Sequence, residues 1–255
     1  MSTIVKYVLS DLLKNKIILV YTFILAALAV SVLSLDGNAG KGLLSLLNLT
    51  LLFVPIITIL FSTIYLFNSV EFIELLLAQP VNRKHVLLAE FSGIALSLSA
   101  AYILGIGVPL LLLLPALSSL VLLVSGIMLT VIFVSISLFI FVLFRDKTKG
   151  IGVAIITVLF FALLFDGLLL AFIYSFNEYP IETALLGIIT FNPIDLARVF
   201  MLLQLDIAVM MGYSGALFKK FLGTATGSMF ALGSMLLWVF IPLLLSVRKF
   251  RKKDL

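Results

Sequence analysis

Six long apolar runs, Ile17 to Leu35, Leu43 to Phe67, Phe91 to Leu114, Leu120 to Phe144, Gly150 to Phe176 and Ala225 to Val247, leave little of this 255-residue chain outside them. About 20 apolar residues in a helix cross a hydrocarbon core of roughly 30 Å, so each run is long enough to span a bilayer. A closed barrel is excluded, because barrel strands alternate apolar and polar residues in pieces of about ten and these runs are continuous. Charged residues make up 11% of the chain and the mean hydropathy is +1.32, which leaves too little polar surface for a soluble globule. The expectation is an all-α membrane protein with six transmembrane helices, forming one domain over residues 1–255 with no appended soluble domain.

The basic residues set the orientation. With both termini cytoplasmic, the inner segments hold Lys6, Lys14, Lys16, Arg83, Lys84, Arg145, Lys147, Lys149, Arg248, Lys249, Arg251, Lys252 and Lys253, which are 13 of the 17 lysines and arginines. Lys41, Arg198, Lys219 and Lys220 remain outside. This bias selects an even number of spans with both ends inside. It also makes the net charge of +5 a consequence of topology, not of nucleic-acid binding. The first span lacks an A-x-A site and is followed by a charged loop, so it is expected to be retained and not cleaved. Cysteine is absent, so neither disulfides nor thiolate ligands are available.

Before the first span, Ile4, Val5, Val8, Leu9, Leu12 and Leu13 repeat at helical spacing opposite Thr3, Lys6, Ser10 and Lys14. An interfacial helix over residues 2–15 is expected. After the second span, VEFIELLLAQPVNRKHVLLAE at residues 70–90 sets Glu71, Glu74 and Glu90, the Gln79-Pro80 break and the pair Arg83 and Lys84 beside membrane-length helices. It reads as an inner elbow offered to a soluble motor. DGNAGKG at residues 36–42 lacks the gap and the Ser or Thr of a phosphate loop and reads as a flexible turn. RDKTKG at residues 145–150 reads as a short inner loop among phospholipid headgroups.

The 48 residues from 177 to 224 are too long for a turn and too apolar for disorder. Asn192 can cap a helix, Pro193 suits its first position, and Asp195 at the third favours the exposed amides. The helix is expected to run to Gly212, making with the upstream IETALLGIITF a dipping or surface hairpin on the outer side.

Few residues suggest chemistry. Asp166 reads as the ionisable residue well inside a span, and a carboxylate there faces protein or water. It is either an ion or proton site or a carboxyl hydrogen-bonded at a helix contact. His85 is the sole histidine, and one imidazole without neighbouring ligands makes no metal site. The seven methionines, Met201, Met210 and Met211 among them, suit packing better than Cu(I) ligation. Gly223, Gly227 and Ala231 give the sixth span a small-residue stripe for close helix approach. No zincin pattern, nucleophile elbow or Walker motif is present, so no catalytic and no metal residue is assigned.

The order of these parts resembles the permease subunits of ABC-2 type exporters. More narrowly, NPIDLAR at residues 192–198 and GYSGALFKKFLG at residues 212–223 resemble the signature segment of NosY-type permeases, which serve copper delivery to nitrous oxide reductase. The resemblance implies the ABC-2 (type V) exporter fold in a bacterial inner membrane and a second copy of the chain. It also implies two copies of an ABC ATPase, and an extracytoplasmic β-helical copper-binding protein. Glu71, Glu74, Gln79, Pro80, Arg83 and Lys84 would then receive ATPase motion, and Asn192, Pro193, Asp195, Arg198, Gly212, Tyr213 and Gly215 would contact the copper protein. ATP and Mg²⁺ would sit on the ATPase and copper on the outer partner, leaving no cofactor on this chain. Without a series of Cys, His or Met ligands through the spans, force transmission is the expected mechanism. Export of a sulfur species, a lipid or another small molecule, an ion-coupled transporter using Asp166, and a passive anchor are the alternatives.

Overall fold

The computed structural model describes residues 2–35, 39–114, 117–176, 182–204 and 213–251, and the described residues contain helices and no strands. Helix α1 (Ser2–Leu13) leads into α2 (Lys16–Leu35) and α3 (Ala39–Asn68), followed by the short α4 (Val70–Leu77). The third span joins α5 (Arg83–Tyr102) through a π-helical turn at Ile103–Gly107 to α6 (Val108–Leu113). Helix α7 (Leu117–Leu143) is the fourth span, and the fifth joins α8 (Lys147–Leu159) through a second π-turn at Phe160–Leu164 to α9 (Phe165–Ser175). Helices α10 (Glu182–Ile189) and α11 (Pro193–Gln204) precede α12 (Tyr213–Phe250), which carries the sixth. Six stretches, Lys16–Ser34, Gly40–Asn68, Arg83–Leu113, Ser118–Leu143, Lys147–Ser175 and Thr226–Phe250, are long and apolar enough to cross a membrane, as the sequence predicts.

Several boundaries differ from expectation. The third-span helix begins at Arg83, where the Asn82 side chain accepts the Lys84 amide at 3.0 Å, so residues 83–90 belong to the span and the elbow ends near residue 82. Helix α3 begins at Ala39, so the end of the predicted turn at residues 36–42 is helical. Helix α12 runs from Tyr213, so residues 213–224, expected in the outer hairpin, are helical and continuous with the sixth span. Helix α11 ends at Gln204, and Gly212, the expected helix stop, lies outside the described residues. At α3, α5 and α12 the helix extends beyond the apolar run, a boundary that hydropathy does not mark, and at α5 the Asn82 cap sets it.

Helix α7 forms the centre of the bundle, with Leu129, Ile132, Phe133, Val134 and Leu138 fully buried. Lipid tails are as apolar as these side chains, so tight packing and hydrogen bonds between helices carry the association. Gly126 makes room for the Tyr102 ring, against which any Cβ would collide, and the Tyr102 hydroxyl donates to the Leu122 carbonyl at 3.1 Å. Ser135 donates to Val239 O at 2.7 Å and Ser137 to Ile59 O at 3.1 Å, tying α7 to α12 and α3. Helix α1 is held onto α5 where Val8 fills the space a side chain at Gly93 would need.

Candidate functional site

At the end of the bundle away from α1, the turn Thr190-Phe191-Asn192 connects α10 to α11. Asn192 is the N-cap of α11: its Oδ1 accepts the Ile194 amide at 3.0 Å, one of the donors a helix start leaves without a partner. Its Nδ2 donates both to the Asp195 Oδ2 at 2.9 Å and to the Phe161 carbonyl at 3.0 Å. Phe161 lies in the π-turn of the fifth span, where the widened ring turns carbonyls toward side partners.

Arg198, two turns along α11 from Asn192, donates through Nη1 to Asp195 Oδ1 at 2.9 Å and to Asp166 Oδ2 at 3.3 Å. Asp195 is almost buried, with its side chain 8% exposed, whereas Asp166 and Arg198 are 39% and 35% exposed. Burial holds the Asp195 carboxyl above the usual carboxylate range, and the Arg198 guanidinium draws it back down. On the other flank, the Trp238 indole of α12 donates to the Thr190 carbonyl at 3.0 Å and packs edge-on against Phe161, centroids 5.4 Å apart. A single polar cluster thus fastens the α10–α11 turn to the fifth and sixth spans.

Helix α11 itself is inserted in the bundle. Leu196, Ala197, Phe200, Met201 and Leu203 are buried against α12, α7 and α3. The described part of the hairpin is therefore packed into the helix bundle. Asn192, Pro193 and Asp195 are buried, and the polar groups of Asn192 and Asp195 are engaged within the cluster. Asp166 is not isolated, because the dipping helix brings Arg198 to it.

At the opposite end, α4 buries Ile73 and leaves Glu71, Glu74 and Leu75 exposed. Gln79, Pro80, Arg83, Lys84 and His85 are exposed around the bend that follows. The six predicted elbow residues are therefore each accessible at the surface. Glu90 does not: it is fully buried in α5, and neither carboxylate oxygen has a partner among the described residues. It is a buried carboxyl of the third-span helix, and the elbow expected over residues 70–90 stops short of it. Phe72 of α4 stacks on Tyr7 of α1 with centroids 5.2 Å apart, a link between elbow and interfacial helix that was not foreseen. Among the described residues no group of three His, Cys, Asp or Glu could hold a metal ion.

Residues 3–255 match the model of the ABC-2 family transporter protein. The chain belongs to the ABC-2 transporter family. The permease is therefore a multi-pass membrane transport subunit that works with an ABC ATPase in a lipid bilayer. No curated protein matches it.

Proposed function

We propose that this permease sits in a bacterial inner membrane with both termini cytoplasmic and couples ATP hydrolysis to an extracytoplasmic copper-handling protein of β-helical form, in the maturation of the nitrous oxide reductase copper site. Two copies of the permease would join two ATPase subunits, with ATP and Mg²⁺ held by the ATPase, copper held by the outer partner, and no catalytic step on this chain. Glu71, Glu74, Gln79, Pro80, Arg83 and Lys84 receive the ATPase motion. The exposed Phe191, the half-exposed Arg198 and the segment around Gly212, Tyr213 and Gly215 meet the outer protein.

The observation that carries the mechanism is the inward use of the NPIDLAR string. Asn192, Asp195 and Arg198 fasten the hairpin to Phe161 and Asp166 of the fifth span, and Trp238 fastens it to the sixth. A tilt of these spans is therefore delivered to the hairpin and not absorbed by a loose loop, as a bistable coupling element requires. Reconstitution with the ATPase and copper protein tests this: charge reversal at Glu74 and Arg83 is expected to abolish ATP-dependent conformational change in the outer protein, while no copper crosses the membrane. ATP-driven copper flux into vesicles would overturn force transmission.

A transported apolar cargo is the second reading. It is supported by a 510 Å³ groove between the hairpin turn and the sixth span, lined by Thr190, Phe191, Leu237 and Trp238 among others. Labelled-lipid flux that needs ATP and falls with Leu237→Trp would favour it.

A further inference from the structure

A groove of 260 Å³ opens at the α1 end of the bundle, between the first and second spans. Its floor is apolar: Ile57, Leu60, Phe61 and Ile64 from α3, with Ile17 from α2. Its mouth is polar, formed by Asn15 and Asn68. The Asn15 Oδ1 is occupied by the Ile17 amide and the Asn68 Oδ1 by the Lys147 ammonium at 2.7 Å. Both side-chain amides thus have their acceptor atoms engaged, which leaves their NH₂ groups as the polar function they can offer a ligand. Lys14 and Lys16 flank Asn15 and are exposed, as is Lys147. Against these three cations stands Asp11, whose carboxylate receives the Tyr65 hydroxyl at the groove wall at 3.3 Å.

We propose that this groove binds an anionic phospholipid of the leaflet on the α1 side, with its phosphate at Asn15, Asn68, Lys16 and Lys147 and an acyl chain along α3. Length argues for a lipid over a free anion. The twelve residues from Ile57 to Asn68 span roughly 16 Å of helix, about half of the roughly 30 Å hydrocarbon core, so the groove reaches from headgroup depth to the bilayer midplane. The mouth offers donors and positive charge, which select an anionic headgroup. The bound lipid would touch the α1–α2 junction and the last turn of α3, one residue before α4. It would therefore stiffen the elbow from behind.

Native mass spectrometry of the full permease, with phosphatidylglycerol and phosphatidylcholine added in equal amounts, tests the site. Phosphatidylglycerol should be retained preferentially, and Lys16→Gln with Lys147→Gln should reduce that preference on the order of tenfold. Leu60→Trp, which fills the floor, should displace both lipids, while Lys249→Gln, off the groove, should keep the wild-type preference. Equal retention of the two lipids by wild type, or an unchanged preference in the lysine double variant, would overturn the proposal. The chain has no cysteine, so Ile64→Cys adds a control: disulfide-linked dimers in membranes would put a second copy in the groove and overturn it too.

Discussion

The side-chain amide of Asn192 donates to the main-chain carbonyl of Phe161 at 3.0 Å, so the turn of the dipping hairpin is bolted to the π-turn of the fifth span 31 residues earlier. The same amide caps α11 and supports Asp195. Asn192→Ala removes an N-cap of about 1 kcal/mol and leaves partners unsatisfied, each costing about 1–3 kcal/mol. The hairpin should then exchange its amides faster over residues 182–204 than the α7 core does. Hydrogen exchange on the purified permease checks this, and unchanged protection would show that the bond carries no weight.

The ion pairs of Arg198 should be unequal. Asp166 is the more exposed carboxylate and lies farther from Nη1, 3.3 Å against 2.9 Å, so Asp166→Asn should cost less than Asp195→Asn. Arg198→Met removes the donor 2.9 Å from the buried Asp195 Oδ1 and should cost about 1–3 kcal/mol, as leaving a buried polar group unsatisfied does. A double-mutant cycle on thermal unfolding measures both couplings. Equal costs would contradict the assignment of Asp195 as the inner partner.

Asp195 also sets a pH dependence. Its carboxyl lies outside the six spans and is raised to about 7, chiefly by burial. The folded state therefore holds a proton that the unfolded state releases, and stability from this group is full below the ordinary carboxylate range and lost as pH rises through about 7. Wild type should lose thermal stability between pH 5 and 8 relative to Asp195→Asn, on the order of the window set by that shift. Parallel pH profiles for the two proteins would refute it.

Gly126 is fixed by the Tyr102 ring. Gly126→Ala should cost about 1–3 kcal/mol through overpacking, and Tyr102→Leu in the same chain should restore part of it by vacating the space. Failure of the second change to recover folded yield would indicate that Gly126 is needed for another reason.

The spans were legible because a continuous apolar run needs no knowledge of its neighbours. The hairpin was legible in pieces: the Asn-Pro-x-Asp start of α11 is a local signal, and Gly126 or Gly93 could only be read as helix-tolerated glycine. Pairing is what the sequence lacks. Asp166 and Arg198 are 32 residues apart, and their meeting depends on α11 dipping between spans, which no periodicity within either segment encodes. Glu90 was misassigned because it follows Arg83, Lys84 and His85 in a charged stretch. Yet Glu90, Ile94, Ser97 and Ala101 fall on one buried helical face, a spacing that could have marked it.

Force transmission requires the hairpin to move with the elbow. The absence of cysteine allows single labels to be introduced at Phe191, which is 68% exposed, and on the α1 end of the bundle. Distances between these labels by pulsed electron paramagnetic resonance, in the reconstituted complex with its ATPase, should shift on ATP binding in wild type. The shift should vanish when Glu74 and Arg83 are reversed in charge. A hairpin that keeps one distance with and without ATP, while ATP is hydrolysed at the wild-type rate, would contradict force transmission through this permease.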